Sequence, residues 1–82
     1  MELRLITGSS GTWVEVPRSL IYDLDLHSKI SYYSYRNLDH VYLEQDRDFP
    51  TFLNAAIAAG MQFMLSEVYL DPNPVLKYDR YY

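Results

Sequence analysis

The sequence contains no cysteine, so this 82-residue chain must hold its fold together without a disulfide bond or a thiolate-bound metal. A chain of this length buries only about 60–65% of the surface that it exposes when unfolded. We therefore expect a single domain, residues 1–82, with one modest hydrophobic core. A two-domain cofactor enzyme is not expected from such a short chain.

The charge balance argues against several classes of partner. Seven Lys and Arg residues against eleven Asp and Glu residues give a formal net charge of −4 at pH 7. Such a surface repels nucleic-acid phosphates and anionic lipids, so direct nucleic-acid binding and membrane association are not expected. No apolar run resembles a signal peptide or a membrane span, and we expect a cytoplasmic protein.

The first part of the chain predicts a β-hairpin followed by a short helix. Apolar and polar residues alternate at 2–6, turn-forming residues occupy 7–12, and a second strand pattern follows at 13–16. Pro17 ends that strand because it cannot donate a ladder hydrogen bond, yet its fixed φ angle suits the first turn of a helix. We place this helix at residues 17–26.

A second hairpin is predicted near the middle of the chain. Residues 30–36 are rich in β-forming side chains, residues 37–39 have turn chemistry, and the strand pattern resumes at 41–43. Tyrosines on its outer face are expected to be half exposed. Because tyrosine is enriched at protein interfaces, we predict a partner-contact surface here. Its residues are Tyr33, Tyr35, Arg36, Tyr42 and Glu44.

A second helix is predicted at residues 49–59. Asp48 is the expected N-cap, and Gly60 is the expected C-cap. Apolar side chains recur at the i, i+3, i+4, i+7 and i+8 spacing of a buried helix face. The predicted core residues are Phe49, Phe52, Leu53, Ala56 and Ile57.

The back face of this second helix carries no charge. A solvent-exposed helix face usually carries Lys, Glu or Arg, yet residues 49–60 include none of them. Small side chains let another backbone approach closely, so we predict a homodimer interface on this face. Its residues are Thr51, Asn54, Ala55, Ala58 and Ala59. The alternative is that the C-terminal tail covers this face through Val75, Leu76 and Tyr78.

The last part of the chain predicts a central strand and an aromatic tail. Residues 61–70 are apolar on both faces for part of their length, which is typical of a strand in the middle of a sheet. Residues 71–82 are expected to form a short strand or a loose end. The order β-β-α-β-β-α-β predicts an α+β fold, with a small, mostly antiparallel sheet of about five strands and two helices on one face.

No catalytic, metal or cofactor site is predicted. His27 lies one helical turn from Asp23, but two ligands do not make a metal site without others from distant segments. The serines lie outside any recognisable nucleophile motif. We therefore expect neither a metal nor a cofactor.

We expect a small acidic protein-interaction module without catalytic activity, acting through the Tyr-rich hairpin and as a homodimer. One alternative is an acidic regulator, or a phosphate-mimicking inhibitor, of a DNA-binding protein. Another is a small enzyme that uses carboxylate general acid/base catalysis. The acids considered for phosphate imitation are Asp23, Asp25, Asp39, Glu44, Asp46 and Asp48, and no particular carboxylates are assigned to catalysis.

Overall fold

One six-stranded sheet carries both helices on a single face. The computed structural model describes all 82 residues. The strands are β1 (Glu2–Gly8), β2 (Gly11–Pro17), β3 (Tyr35–Asn37), β4 (His40–Glu44), β5 (Met64–Tyr69) and β6 (Asp79–Arg80). The helices are α1 (Arg18–Asp23) and α2 (Asp48–Ala58), and a 3₁₀ turn spans Pro74–Lys77.

The strand order is β5-β1-β2-β4-β3-β6. Only the β1–β5 pair is parallel, and the other four pairs are antiparallel. The predicted α+β class with a mostly antiparallel sheet is therefore confirmed, with six strands instead of about five. The sixth strand is β6, which the tail adds beside β3.

The first hairpin forms as predicted. Gly8 and Gly11 are paired at its end, which leaves a two-residue turn between β1 and β2. Gly8 is required by close packing, because a Cβ atom there would lie 2.5 Å from the carbonyl oxygen of Leu70. The glycine thus lets the end of β5 pass against the hairpin turn.

The main core lies between the sheet and the helices. Val14 and Val16 are fully buried, as the alternating pattern of β2 predicts. The helix α1 is shorter than predicted, ending at Asp23, and Asp25 adopts a left-handed backbone conformation just beyond it. The buried members of this core are Leu3, Val14, Val16, Ile21, Leu26, Ile30, Val41, Leu43, Phe52 and Ala56.

A second apolar cluster covers the opposite face of the sheet, so the expectation of a single core is wrong. Its buried members are Ile6, Trp13, Tyr35, Tyr42 and Val75. Trp13 and Tyr35 meet edge to face with ring centroids 5.6 Å apart. The 3₁₀ turn brings Val75 onto this face.

The C-terminal tail is packed rather than loose. The buried Asn73 side-chain amide donates to the carbonyl of Ile6, and its side-chain oxygen accepts from the N–H of Val75. Beyond the turn, β6 pairs with β3. Val75 and Tyr78 therefore lie on the sheet face opposite α2 and do not cover the back face of α2 as the alternative proposed, whereas Tyr81 packs against the main core.

The second hairpin is shorter than predicted. Only Tyr35–Asn37 forms its first strand, and Leu38 adopts a positive φ of 53° in the two-residue turn. Residues 30–34 form a loop instead of a strand. Ile30 and Ser34 of this loop are buried, so tertiary packing overrides the β-propensity of the segment.

The buried carboxylate of Asp48 explains how this loop is held. Asp48 does not cap its own helix, contrary to prediction, because its oxygens point toward the loop. They accept hydrogen bonds from the N–H and hydroxyl of Ser31 and from the hydroxyl of Ser34. The Ser34 hydroxyl oxygen also accepts from the N–H of Glu44, 2.9 Å away. One side chain thus connects the loop, the start of α2 and the end of β4.

The C-terminal end of α2 follows the sequence prediction. Gly60 has a φ of 74°, and its N–H donates to Ile57 while the N–H of Met61 donates to Ala56. This is the Schellman pattern, in which a left-handed glycine satisfies the last helical carbonyls. The buried face differs from the prediction, since Ile57 is 63% exposed whereas Ala55 packs against the core.

Replacing the buried Asp48 is predicted to destabilise the fold strongly. Asp48→Ala removes the shared acceptor of three donor groups and is expected to cost about 2–3 kcal/mol of unfolding free energy. Asp46→Ala is the matched control, because Asp46 is exposed, and its cost is expected to stay within about 0.5 kcal/mol. Urea unfolding measures both, and equal stability of the two variants would contradict the anchoring role.

Candidate functional site

The position of β5 in the sheet is where the structure differs most from the sequence prediction. The sequence predicts a central strand, but β5 lies at the edge of the sheet with β1 as its only neighbour. Its side chains are consequently open, with Met64 70%, Leu65 44% and Tyr69 65% exposed. The sequence could not separate this strand from a buried one, because apolar residues on both faces fit either case.

The backbone of this edge is also available for pairing. The N–H groups of Met64 and Leu70 donate to carbonyl oxygens on the β1 side, each at 2.9 Å. Backbone groups alternate in direction along a strand, so those of Leu65, Glu67 and Tyr69 point away from the sheet. An edge that combines unpaired backbone groups with apolar side chains is a template for another strand.

The back face of α2 is partly open. Asn54, Ala58 and Ala59 are exposed, whereas Thr51 and Ala55 are partly buried. Ala55 packs against the main core, so it is not a free interface residue within this chain. The predicted homodimer role of this face stays a prediction, with Ala58 as its most suitable test position.

The predicted partner-contact residues do not form one surface. Tyr35 and Tyr42 are only 5% and 4% exposed, because the second apolar cluster covers them. The expectation that these rings are half exposed is therefore wrong. Tyr33 is exposed, while Arg36 and Glu44 are partly buried and lie on different strands of the hairpin.

Tyr33 belongs to a different aromatic group on the surface. Its ring stacks on Tyr32, with centroids 4.6 Å apart, and the Arg47 guanidinium lies 4.0 Å from the centroid of Tyr33. Arg80 covers Tyr35 at 4.6 Å and donates to the carbonyl of Tyr32. These cation–π contacts place two of the arginines over tyrosine rings.

A hydrogen-bonded cluster on the second face fixes Tyr42. Its hydroxyl donates to Glu15 at 2.9 Å, and Arg4 donates twice to the same carboxylate at 3.0 and 3.1 Å. Burial and the Glu15 hydrogen bond raise the pKa of Tyr42 well above its ordinary value. Burial alone would raise the pKa of Glu15, but the bonds from Arg4 and Tyr42 outweigh it and lower that pKa.

The lowered pKa of Glu15 predicts a pH-dependent contribution to stability. A carboxylate with a lowered folded-state pKa stabilises the fold above its ordinary pKa, and the contribution disappears as pH falls through the folded-state value. The stability advantage of the wild type over Glu15→Gln should therefore shrink between about pH 5 and pH 3. Urea unfolding across this range tests it, with the exposed Glu2→Gln as control. A constant difference between wild type and Glu15→Gln would contradict the assignment.

A shallow groove lies at the opposite end of the sheet from β5. It has a volume of about 280 Å³ and opens between α1, β3 and the C-terminal residues. The residues that line it are Arg18, Tyr22, His27, Arg36, Tyr81 and Tyr82. We call it the basic–aromatic groove. No local sequence pattern indicates this groove, because its residues come from four separate segments.

Aromatic contacts fix the wall of this groove. The rings of Tyr22 and His27 are stacked with centroids 4.9 Å apart. The hydroxyl of Tyr81 donates to the carbonyl of His27 at 2.7 Å, and its ring meets Tyr82 edge to face. Burial and the nearby Tyr22 and Tyr82 raise the pKa of Tyr81, and the positive charge of Arg18 partly offsets this.

A second depression of about 400 Å³ adjoins the groove. It shares Arg18 and Tyr22 with the groove and adds four residues of its own, namely Pro17, Ser19, Asp39 and His40. Both histidines of the chain therefore lie along this part of the surface.

Two of the acids considered for phosphate imitation are engaged within the chain. Asp48 is buried and binds the Ser31–Ser34 loop. The carboxylate of Glu44 accepts from the backbone N–H of Asp46, which ties it to its own turn. No three His, Cys, Asp or Glu side chains lie close enough together to hold a metal ion.

Comparisons with family models, with curated proteins and with solved structures found no match to this chain. None of the helices has the length and apolar character that a membrane crossing requires. The candidate binding surfaces are therefore those that the geometry offers, namely the β5 edge and the basic–aromatic groove.

Proposed function

We propose that this protein is a small interaction module that forms a homodimer through the free edge of β5. The observation that carries the proposal is the exposed apolar edge strand, where Met64, Leu65 and Tyr69 accompany unpaired backbone groups. A second copy is the occupant that fits best, because one strand paired with itself about a two-fold axis gives a closed assembly. The proposal keeps the cytoplasmic location and the absence of catalysis expected from the sequence.

The pairing register follows from the side chains of β5. In an antiparallel pair, directly opposite residues point to the same face of the sheet. The two-fold axis must therefore lie midway between one residue and the same residue of the second copy. Centring on Glu67 would place two carboxylates opposite each other, which is unfavourable. Centring on Ser66 avoids this and sets Met64 opposite Val68 of the second copy.

The Ser66-centred register also uses the free backbone groups. It places Leu65 opposite Glu67 of the second copy, and both residues direct their N–H and C=O groups outward. Each of these two symmetric pairs can therefore exchange backbone hydrogen bonds, as in β-augmentation. The joined sheet would have twelve strands, twice the six strands of one copy. A two-fold axis normal to the sheet leaves both α2 helices on the same face.

The exposed tyrosines give the dimer a second surface for a different protein. Tyr32 and Tyr33 are exposed and stacked, and Arg47 lies over one of them. Aromatic residues and arginine are the side chains most enriched at protein interfaces. We place the partner contact at this group, since Tyr35 and Tyr42 of the predicted surface are buried.

The dimer proposal predicts that a charge on β5 separates the copies. Leu65→Lys and Met64→Lys should each weaken self-association at least about tenfold, because lysine on an edge strand opposes further pairing. Leu38→Lys is the matched control, since Leu38 is 83% exposed but lies in the β3–β4 turn. Light scattering over a range of concentrations measures the oligomeric state, and circular dichroism verifies folding.

The outcomes separate the candidate interfaces. A wild-type protein that stays monomeric at millimolar concentration would overturn the dimer proposal. If Ala58→Glu dissociates the dimer and the β5 variants do not, the interface is the back face of α2 rather than the strand edge. Dissociation by Leu38→Lys would also contradict the β5 assignment, because that turn lies elsewhere in the sheet.

A further inference from the structure

We propose that the basic–aromatic groove binds a nucleoside monophosphate, with the phosphate held by Arg18 and Arg36 and the base placed against the tyrosines. The inference concerns a small ligand and does not depend on the dimer proposal. The groove lies beside β3 and β6, at the sheet edge opposite β5.

The basic–aromatic groove has a locally positive charge. The chain as a whole carries a net charge of −4, yet two arginines line this one groove. The Arg18 guanidinium makes no hydrogen bond or ion pair within the chain. Arg36 has only a long contact of 3.9 Å to the largely exposed carboxylate of Asp79. Both guanidinium groups are therefore available to an anion.

The other arginines show why this availability matters. Arg4 is bound to Glu15 by two hydrogen bonds. Arg47 and Arg80 lie over tyrosine rings, at 4.0 and 4.6 Å from the ring centroids. A guanidinium group without such a partner, next to a concave surface, can donate two parallel hydrogen bonds to the oxygens of a phosphate.

Tyrosine rings form one wall of the groove. Tyr22 and Tyr82 are exposed, and each ring contacts another aromatic ring, Tyr22 with His27 and Tyr82 with Tyr81. Tyr81 is itself anchored by its hydrogen bond to the carbonyl of His27. Tyrosine rings stack on nucleobases of any type, since every base has a π face. The anchored Tyr81 ring therefore loses little conformational freedom on binding.

The adjoining depression extends the groove. Arg18 and Tyr22 line both concavities, so a ligand seated on them reaches the second one. There Asp39 offers a carboxylate acceptor and Ser19 a hydroxyl. Sugar hydroxyls are suitable donors to such a carboxylate. Phosphate, planar base and hydroxylated sugar together describe a nucleotide, and concavities of about 280 and 400 Å³ have room for a small one.

Nuclear magnetic resonance titration of the ¹⁵N-labelled full chain tests this inference with AMP as the probe. Backbone signals of Arg18, Tyr22, His27 and Arg36 should shift on addition of AMP. Adenosine and inorganic phosphate should each bind at least about tenfold more weakly, because each supplies only part of the recognised chemistry. Phosphotyrosine is titrated in parallel as another aromatic phosphate.

Two matched variants assign the phosphate contact. Arg18→Gln should weaken AMP binding at least about tenfold, and it should leave the fold intact because the Arg18 side chain makes no hydrogen bond or ion pair within the chain. Lys77→Gln also removes one positive charge, from an exposed position outside the groove, and should leave AMP affinity unchanged.

Several results would overturn the inference. These are the absence of shifts at millimolar AMP, equal AMP affinity of Arg18→Gln and the wild type, and tighter binding of phosphotyrosine than of AMP. The last result would make the groove a phosphopeptide site. Light scattering on the same samples reports the dimer separately, so failure of one proposal does not imply failure of the other.

Discussion

The helical side of the structure depends on the hydrogen bonds that the buried Asp48 carboxylate accepts. Through Ser31 and Ser34 it fixes the loop before β3, and through the same Ser34 hydroxyl it reaches the end of β4. The buried Ser34 hydroxyl would otherwise be a donor without this partner, which is costly. No buried side-chain polar atom lacks a partner in the structure, so the network is complete.

The sheet is covered on both faces, and this determines which tyrosines are available to partners. The turn at residues 74–77 lies over the face opposite the helices and brings Val75 against Trp13 and Tyr42. Tyrosine is well suited to this position, since its ring is buried while its hydroxyl binds Glu15. The high tyrosine content therefore serves packing in part, and only the remaining exposed rings can act in recognition.

The two ends of the sheet differ in chemistry. The β5 edge is apolar and has free backbone groups, which favours pairing with another strand. The β3–β6 end carries arginine, histidine and tyrosine around a concave surface, which favours an aromatic anion. A small domain can separate self-association from ligand binding in this way, because the width of the sheet keeps the two surfaces apart.

Local patterns in the sequence determined the α+β class, the first hairpin and the end of α2 at Gly60, since turn residues and periodicity act over a few positions. They did not determine that β5 lies at an edge, that Asp48 turns away from its own helix, or that Tyr35 and Tyr42 are buried. Those outcomes depend on segments far apart in the chain, such as the tail beneath β2 and β4. Only the tertiary structure brings these segments together, because a side chain's hydrogen-bond partners and burial depend on its neighbours in space.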